Sequence, residues 1–382
     1  MTADSLPDEM LDAAFEKWVE AQRAALQIMR DAKDVPTTEA DVVEGYRWVA
    51  RIASLAFDWF VEKADPLHPV LFQLQDEYRK LLVDNPDVRY LFSVLDDTCA
   101  YRLVGTRGDA AYVGLTFGTP IGKGQVEGRT GTTTQTYLDE FDLGPDGMVD
   151  ILIAPKAELD KSKSVNKIEL MPGTGQLAVR ETFFDRGTER ESDLRLELVG
   201  DVPPPKLDSE EFASKLEFAG TILQFVVATA LSMWADTAQH MNSFGGTAGA
   251  AHVEEQEDEV RSHSDADMTY HGGRWSLGES EALVVTVHEP SKDFLYWGLT
   301  ITSPWMESYD YRYTTINLNN KNAKRSSDGN WRLVIAPSDP GVPNWIDTGG
   351  RREGYMIVRW VLADGPPHPT CELVPLDSLR PR

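Results

Sequence analysis

Cysteine and histidine are scarce in this chain of 382 residues, which has two cysteines and seven histidines. Two cysteines are too few for a disulfide framework or a cysteine-based zinc site, and they suit a reducing cytoplasm. Residues His263, Asp265, Asp267 and His271 are of metal-ligating types, but they lack the tight spacing that is typical of metal sites. We therefore expect neither a metal nor another cofactor.

Positive charge is also in short supply, with 37 Lys and Arg against 62 Asp and Glu and a formal net charge of −25. Nucleic acids and anionic membrane surfaces bind clustered Lys and Arg, so this balance argues against both as partners. The first residues lack the basic and apolar segments of a secretory signal. The longest apolar run, residues 221–234, contains Gln224 and is too short to span a bilayer. We expect a cytoplasmic protein.

The loops that identify several large enzyme classes are missing from the sequence. Residues 122–128 (G-K-G-Q-V-E-G) contain glycines but do not open a helix, so they fail as a dinucleotide-binding fingerprint. No Gly-x-Ser-x-Gly elbow of a serine hydrolase occurs. The sequence therefore does not name a reaction.

An internal repeat is present. Residues 112–120 (Y-V-G-L-T-F-G-T-P) are echoed by residues 296–304 (Y-W-G-L-T-I-T-S-P). Residues 148–155 (M-V-D-I-L-I-A-P) are echoed by residues 330–337 (N-W-R-L-V-I-A-P), and two shorter echoes follow in the same order. Matches that keep their order while their spacing drifts indicate a duplication with small insertions and deletions.

Helical periodicity dominates the beginning of the chain. The pattern predicts a first helix through Leu11 and Leu26, and a second helix that begins near Thr38 and Asp41, which resemble a capping box. A third helical stretch is predicted over residues 69–82, with a further turn or two at residues 88–95. Another helix is predicted over residues 209–241.

From Asp96 onward, short alternating segments rich in β-forming residues are separated by Gly, Pro and Asp, which is typical of a sandwich or jelly roll. The predicted fold class is α+β: a helical N-terminal segment, then two duplicated antiparallel β-sandwich domains with an intervening helix. The predicted units are residues 1–95 (helical), 96–205 (first sandwich), 206–262 (helix and acidic loop) and 263–382 (second sandwich).

The duplication suggests where to search for function. Residues that are alike in both halves are explained by the shared fold, so chemically rich departures in one half are the functional candidates. These departures concentrate in the second half, over residues 305–320 and 344–352. As catalytic candidates we take Asp310, Asp347, Arg312 and Arg351. As substrate-binding candidates we take Tyr309, Tyr311, Trp345, Asn317, Asn344 and Trp305.

The chemistry of these residue types supports a pocket. Tyrosine and tryptophan would line it, and the charged groups would supply polar contacts. An Asp beside an Arg stays ionised and can act as a base, while the Arg stabilises negative charge. In a strand, Asp310 and Arg312 would share one face. The alternative is that the acidic and basic groups form ion pairs that tie loops to the sheet.

The run D-Y-R-Y-T-T-I-N-L-N-N, followed by D-G-N-W-R-L-V-I-A-P-S-D-P-G-V-P-N-W-I-D-T and G-Y-M-I-V-R-W, lies within residues 309–360. It resembles the bacterial domain-of-unknown-function family 1214, in which this domain often follows a partner of family 1254. The resemblance implies a β-sandwich and implies no activity. Relatives resembling this chain have His after the Gly349-Gly350 pair, where Arg351 stands here.

Three functions are compatible with these observations. The first is an enzyme, a hydrolase or lyase, that acts without a cofactor on a small, largely apolar metabolite such as a terpenoid, steroid or aromatic compound. The second is a non-catalytic protein that binds a carbohydrate or hydrophobic ligand, since aromatic faces suit both. The third is an assembly protein, and a homo-oligomer is compatible with it. In each of the first two cases the partner is a small molecule.

Overall fold

A computed structural model describes residues 9–36, 38–120, 131–206, 208–245 and 267–379. Several segments named in the sequence analysis lie outside these ranges. They are the predicted acidic loop at residues 254–259, the glycines of 122–128, and His263 and Asp265 of the candidate metal cluster.

Helices form where the periodicity predicted them at the start of the chain and after residue 208. The helices are α1 (Glu9–Arg30), α2 (Glu39–Phe57), the short α3 (Lys156–Leu159) and α4 (Ser209–Asp236). A π-helical turn (Asp58–Glu62) extends α2, and 3-10 turns lie at Leu138–Glu140, Pro145–Gly147, Thr237–His240 and Leu376–Leu379. The capping box at Thr38 and Asp41 is confirmed, since each side chain bonds the other's backbone N–H. Asp208 caps α4, where its side chain accepts from the N–H groups of Glu210 and Glu211.

The remaining structure is β-strand, in two sets. The first set is β1 (Phe72–Gln75), β2 (Val88–Val94), β3 (Tyr101–Thr106), β4 (Tyr112–Gly118), β5 (Thr132–Tyr137), β6 (Met148–Ala154), β7 (Lys167–Glu169), β8 (Gln176–Thr182) and β9 (Asp193–Leu198). The second set is β10 (Met268–Ser276), β11 (Glu281–Val287), β12 (Tyr296–Thr302), β13 (Asn317–Asn319), β14 (Trp331–Ala336), β15 (Trp345–Asp347), β16 (Glu353–Val361) and β17 (Thr370–Pro375).

Apart from the additional edge strand β1 of the first half, the two sets have one topology, which confirms the predicted duplication. The first half pairs its strands in the orders β1-β2-β8-β4-β5 and β7-β6-β3-β9, and the second half uses β10-β16-β12-β13 and β15-β14-β11-β17. Pairing is antiparallel except for β6 with β7 and β14 with β15, which are parallel at equivalent places. Each half is a sandwich, because apolar residues from both of its sheets share one core.

The helices form a third core that joins the halves. Residues of α1, α2 and α4 pack with Phe92 and Ala178 on the outer face of the first half and with Tyr355 and Ile357 on that of the second. One helical layer therefore covers a sheet from each sandwich. By length and composition alone Ser209–His240 could cross a membrane, and 44% of its most apolar window is buried.

Two predictions of local structure are wrong. The third helical stretch does not exist: residues 72–75 and 88–94 are strands β1 and β2 of the first sandwich. The segment around Tyr309 and Arg312 is a turn instead of a strand, because Asp310 O accepts hydrogen bonds from the N–H groups of Tyr313 and Thr314 (3.2 and 3.3 Å). Both segments carry mixed apolar and polar residues whose period is ambiguous over such short runs.

Candidate functional site

The two sandwiches meet through a reciprocal pair of hydrogen bonds. Tyr296 at the start of β12 donates to Asp87 Oδ2 over 2.8 Å, and Tyr112 at the start of β4 donates to Asp267 Oδ2 over 2.8 Å. The two tyrosines are the first residues of the duplicated Y-x-G-L-T segments. The two aspartates also correspond, since each immediately precedes the equivalent strand β2 or β10. The duplication therefore holds its own two copies together.

Backbone contacts repeat the same symmetry. The N–H of Phe183 donates to Asp87 O, and the N–H of Leu362 donates to Asp267 O, each over 2.8 Å. Both donors directly follow equivalent strands, β8 and β16. Each aspartate is therefore fixed by its own half through its backbone and bonds the other half through its side chain.

Asp87 is the more buried of the two carboxyls, with 8% of its surface exposed. Besides the Tyr296 hydroxyl, its Oδ2 accepts from Asn319 Nδ2 over 2.9 Å. Burial raises the pKa of Asp87, and the hydrogen bonds from Asn319 and Tyr296 oppose that rise. Burial also raises the pKa of Tyr296 well above its ordinary value, so this phenol stays a hydrogen-bond donor.

A cleft of about 820 Å³ opens at Asp87, between the two sandwiches. Its lining comes from both halves: Glu77, Pro86, Asp87, Phe184, Asp185, Arg186, Gly187 and Glu191 from the first, and Tyr311, Arg312, Asn317, Lys321 and Asn322 from the second. Most of these side chains carry hydrogen-bonding groups. Phe184 and Tyr311 add aromatic surface.

The charges of the cleft are largely balanced. Arg186 donates to Glu191 over 2.9 Å, and the Lys321 ammonium lies 5.0 Å from the centre of the Phe184 ring. Glu77 contributes a carboxylate with no ion pair among the described residues. The cleft therefore offers donors and acceptors together without a strong excess of either sign.

Of the predicted site residues, Tyr311, Arg312 and Asn317 line this cleft. The predicted Asp310–Arg312 pair exists, with Arg312 Nε and Nη2 donating to the two carboxylate oxygens over 2.8 and 2.6 Å. It forms within a turn and faces solvent, and Arg312 lowers the pKa of Asp310 to about 2. The carboxylate thus fixes the guanidinium and is too weak a base at neutral pH to be an effective proton acceptor.

Buried groups from the first half hold the segment that leads into this turn. The Lys80 ammonium donates to the carbonyls of Ser308 and Tyr309 over 2.6 and 2.7 Å and lies 4.9 Å from the centre of the Tyr311 ring. Asp84 accepts from the N–H and the hydroxyl of Ser308 over 2.8 and 2.6 Å. The residues before Asp87 therefore position the opposite wall of the cleft.

Tyr309, Arg351 and Trp305 lie at the boundary between α2 and the second sandwich. The Arg351 guanidinium stacks 4.3 Å from the centre of the Tyr309 ring and pairs with Glu44 of α2. Trp305 stacks on Trp48 with ring centres 5.4 Å apart. These contacts are the loop-fixing alternative that the sequence left open, and the acidic partner of Arg351 is Glu44 of α2.

Asn344, Trp345 and Asp347 belong to β15 and its approach. The Asn344 amide donates to the carbonyls of Lys324 and Arg332 over 2.8 and 2.9 Å. Trp345 Nε1 donates to Ala336 O over 3.1 Å, and Asp347 accepts from the N–H of Gly349 over 2.8 Å. Their side-chain hydrogen bonds go to nearby backbone, and none of the three residues lines the cleft.

Sequence reasoning missed Asp87, Phe184, Arg186 and Lys321. Asp87 was hidden because residues 88–95 were assigned to a helix. The repeat contained a usable signal: once Val88–Val94 is aligned with Met268–Ser276 as a strand, Asp87 and Asp267 fall on equivalent positions.

Among the residues that the structure describes, no group of three or more His, Cys, Asp or Glu side chains is arranged to hold a metal ion. His271 and His368 approach with ring centres 4.3 Å apart, and burial lowers the pKa of His271 to about 4. His271 is therefore neutral at physiological pH.

Comparison with known proteins agrees with this architecture. Residues 273–364 match a family model. Its description is "Protein of unknown function (DUF1214)", and the match falls on the second sandwich, where the resemblance was expected. No curated protein matches the chain.

Two solved structures are similar over most of the chain. An uncharacterized protein from Burkholderia cenocepacia is 28% identical, with 97% of this chain and 99% of that chain covered and a TM-score of 0.86. The VPA0106 protein from Vibrio parahaemolyticus is 12% identical, with 86% and 98% covered and a TM-score of 0.50. The second similarity bears on the fold alone.

Proposed function

We propose that this protein binds a small, neutral, polyhydroxylated molecule of the carbohydrate class in the cleft between its two sandwiches. The observation that carries the proposal is the lining: a cavity of about 820 Å³ in which hydrogen-bonding side chains from both halves surround Phe184 and Tyr311. Small-molecule sites have volumes of about 300–1,000 Å³, and their polar groups fix the ligand's orientation.

The polar side-chain groups of the cleft that have no partner within the protein are suited to hydrogen-bond the hydroxyl groups of a ligand. Among the described residues, the side-chain polar atoms of Glu77, Tyr311 and Lys321 have no hydrogen-bond or ion-pair partner. Asn322 Oδ1 accepts from the backbone of Asn319 over 2.7 Å, which leaves its amide N–H groups to donate. A hydroxyl both donates and accepts, so a lining that mixes the two suits a polyol better than a ligand of one polarity.

Aromatic surface completes the match, since the faces of Phe and Tyr pack against the apolar C–H faces of sugar rings. The expectation of an apolar terpenoid, steroid or aromatic substrate has less support, because residues with hydrogen-bonding side chains outnumber the apolar Pro86, Phe184 and Gly187 in the lining. Catalysis by a hydrolase or lyase stays a prediction.

Calorimetric binding to matched ligands tests the proposal. We would compare a neutral monosaccharide panel with the corresponding uronic acids, amino sugars and a steroid. A neutral sugar should bind the wild type, and Asn317→Ala should weaken its binding at least about tenfold, a loss of about 1.4 kcal/mol. Asp347→Asn serves as the matched control and should bind like the wild type.

Thermal unfolding of each variant separates loss of the site from loss of the fold. The proposal is wrong if no saccharide binds the wild type, or if the steroid binds and neutral sugars do not. Equal loss in Asn317→Ala and Asp347→Asn, with both variants folded, would also contradict the location of the site.

We also propose three broader features from the sequence. The acidic balance and the scarcity of cysteine support a cytoplasmic location. The first sandwich would play the part of a family 1254 partner, which its position before the family 1214-like half supports. A homo-oligomer is compatible with the exposed apolar residues Phe15 and Val43 on the helices.

A further inference from the structure

Two strongly exposed tyrosines stand at the mouth of the cleft. Tyr313 is 81% exposed and Tyr78 is 58% exposed, although aromatic rings are usually mostly buried. They belong to different halves of the duplication. The guanidinium of Arg312 lies over both, 4.5 Å from the centre of the Tyr78 ring and 5.4 Å from that of Tyr313.

The Arg312 guanidinium that joins these rings is itself fixed. Both carboxylate oxygens of Asp310 bind it, and the Asp310 carbonyl accepts from the N–H of Tyr313 over 3.2 Å. The side chain of Asp76 accepts from the N–H of Tyr78 through Oδ1 over 2.7 Å. Each tyrosine therefore sits on an aspartate-stabilised turn, so the backbone that carries each ring is fixed before a ligand binds.

The aromatic pair is continuous with the cleft. Arg312 lies over both rings and also lines the cavity. Glu77 and Tyr311 line it too, and they directly precede Tyr78 and Arg312 in the sequence. A ligand that leaves the cavity on this side meets the tyrosines next. Exposed aromatic surface beside a polar cleft is the arrangement expected where a ligand extends beyond it.

We infer that Tyr78, Arg312 and Tyr313 form a second subsite, which stacks a further sugar ring of the ligand. The natural ligand is then an oligosaccharide of at least two rings, with one ring in the cleft and the next on the tyrosines. The inference rests on the proposed function and specifies its ligand class.

A chain-length series tests it. Binding is measured by calorimetry for mono- to tetrasaccharides of the maltose, cellobiose, xylobiose and chitobiose series. Wild type should bind the disaccharide of its preferred series at least about fivefold more tightly than the monosaccharide, a gain of about 1 kcal/mol. Tyr313→Ala should remove that gain and leave monosaccharide affinity unchanged, while Tyr313→Phe should retain it, because the ring face makes the contact.

Phe15→Ala is the matched control, since Phe15 is 58% exposed on α1, away from the cleft. It should change neither affinity. If monosaccharides bind but chain length brings no gain, or if Tyr313→Ala keeps the gain, the second subsite is wrong and the cleft proposal stands. If no saccharide of any length binds, the proposed function itself fails, and this inference fails with it.

Discussion

The two sides of the junction between the sandwiches are formed by equivalent segments of the duplication, but the side chains around them differ. On one side Tyr296 bonds Asp87, and on the other Tyr112 bonds Asp267. The difference lies in the neighbouring edge strand. Asn319 of β13 pairs with Gly298 of β12. At the equivalent position of the first half, Tyr137 of β5 pairs with Gly114 of β4.

That single exchange has consequences for the space at the junction. Tyr137 packs beside Tyr112 with ring centres 5.6 Å apart, which fills its side with aromatic surface. Asn319 instead spans from Asp87 to the carbonyl of Phe184, with 2.9 Å hydrogen bonds to each. The shared tyrosine and aspartate hold the halves together, and the edge-strand residue beside them differs: a tyrosine ring on one side and an asparagine amide on the other.

The largest effect is expected from the buried carboxyl of Glu307 in the second half. Glu307, in the loop after β12, is paired with Arg51, and burial raises its pKa to about 7. Because the folded protein holds this proton more tightly than the unfolded chain, the stabilisation is fully present below about pH 4.5 and is lost as pH rises through 7. The contribution of Glu307 to the free energy of unfolding should fall by about 3 kcal/mol over that range.

Urea unfolding of wild type and Glu307→Gln at pH 5 and pH 8 measures this effect. The variant cannot titrate at this position. From pH 5 to pH 8 the wild type should therefore lose unfolding free energy relative to the variant. A difference that is the same at both pH values would show that Glu307 does not titrate in this range. Taking the difference also cancels the opposite trend from His271, whose lowered pKa weakens the fold as pH falls from 6.5 to 4.

The next prediction breaks each side of the junction in turn. Tyr296→Phe removes a hydroxyl that donates to Asp87 and accepts from Asn85 over 3.2 Å, and leaves a buried carboxyl with one donor fewer. We expect a loss of about 2–3 kcal/mol. Tyr112→Phe should cost about 1 kcal/mol, because Asp267 is partly exposed and water can replace the donor.

Chemical unfolding of the two variants gives the comparison directly, and the equivalent substitution on the other side is its control. Equal losses would mean that burial of the aspartate does not distinguish the two sides. A larger loss of unfolding free energy for Tyr112→Phe would show that the Tyr112–Asp267 contact stabilises the fold more than the Tyr296–Asp87 contact does.

The smallest effects are expected at two aspartates that the sequence suggested for catalysis. Asp310→Asn breaks a solvent-facing pair, and Asp347→Asn weakens the hydrogen bond from the Gly349 N–H, because a neutral amide oxygen accepts it in place of a carboxylate. Each should change the free energy of unfolding by at most about 1 kcal/mol, since exposed groups contribute little. Monosaccharide affinity should stay unchanged in Asp347→Asn, and a tenfold loss there would place the site at β15 instead of the cleft.

Much of the fold was predictable from local patterns. The echo of Y-x-G-L-T and I-A-P segments predicted two sandwiches on one plan, and the structure has equivalent strand orders in both. The capping box at Thr38 was predictable because its two partners are three residues apart. The strands at 72–75 and 88–94 were missed, since short mixed segments take their state from the sheet they join.

The candidate site was only partly predictable. Tyr311, Arg312 and Asn317 were selected because the second half departs from the first there, and they do line the cleft. Trp345 and Asp347 were selected by the same rule, but their side chains bond to nearby backbone. A sequence difference between the two copies can mark a binding site, but it can equally provide side chains that hold a loop in place.

The sequence by itself determined the duplicated strands, the helices around them and the acidic surface, because each depends on periodicity, turn chemistry or composition within short stretches. Tertiary structure decided which residues meet. Asp87 and Asn319 are separated by most of the chain and share a hydrogen bond only because the beginnings of equivalent strands meet where the two sandwiches pack together. The cleft exists where that packing leaves space, and contacts between distant residues leave no periodic signal in a single sequence.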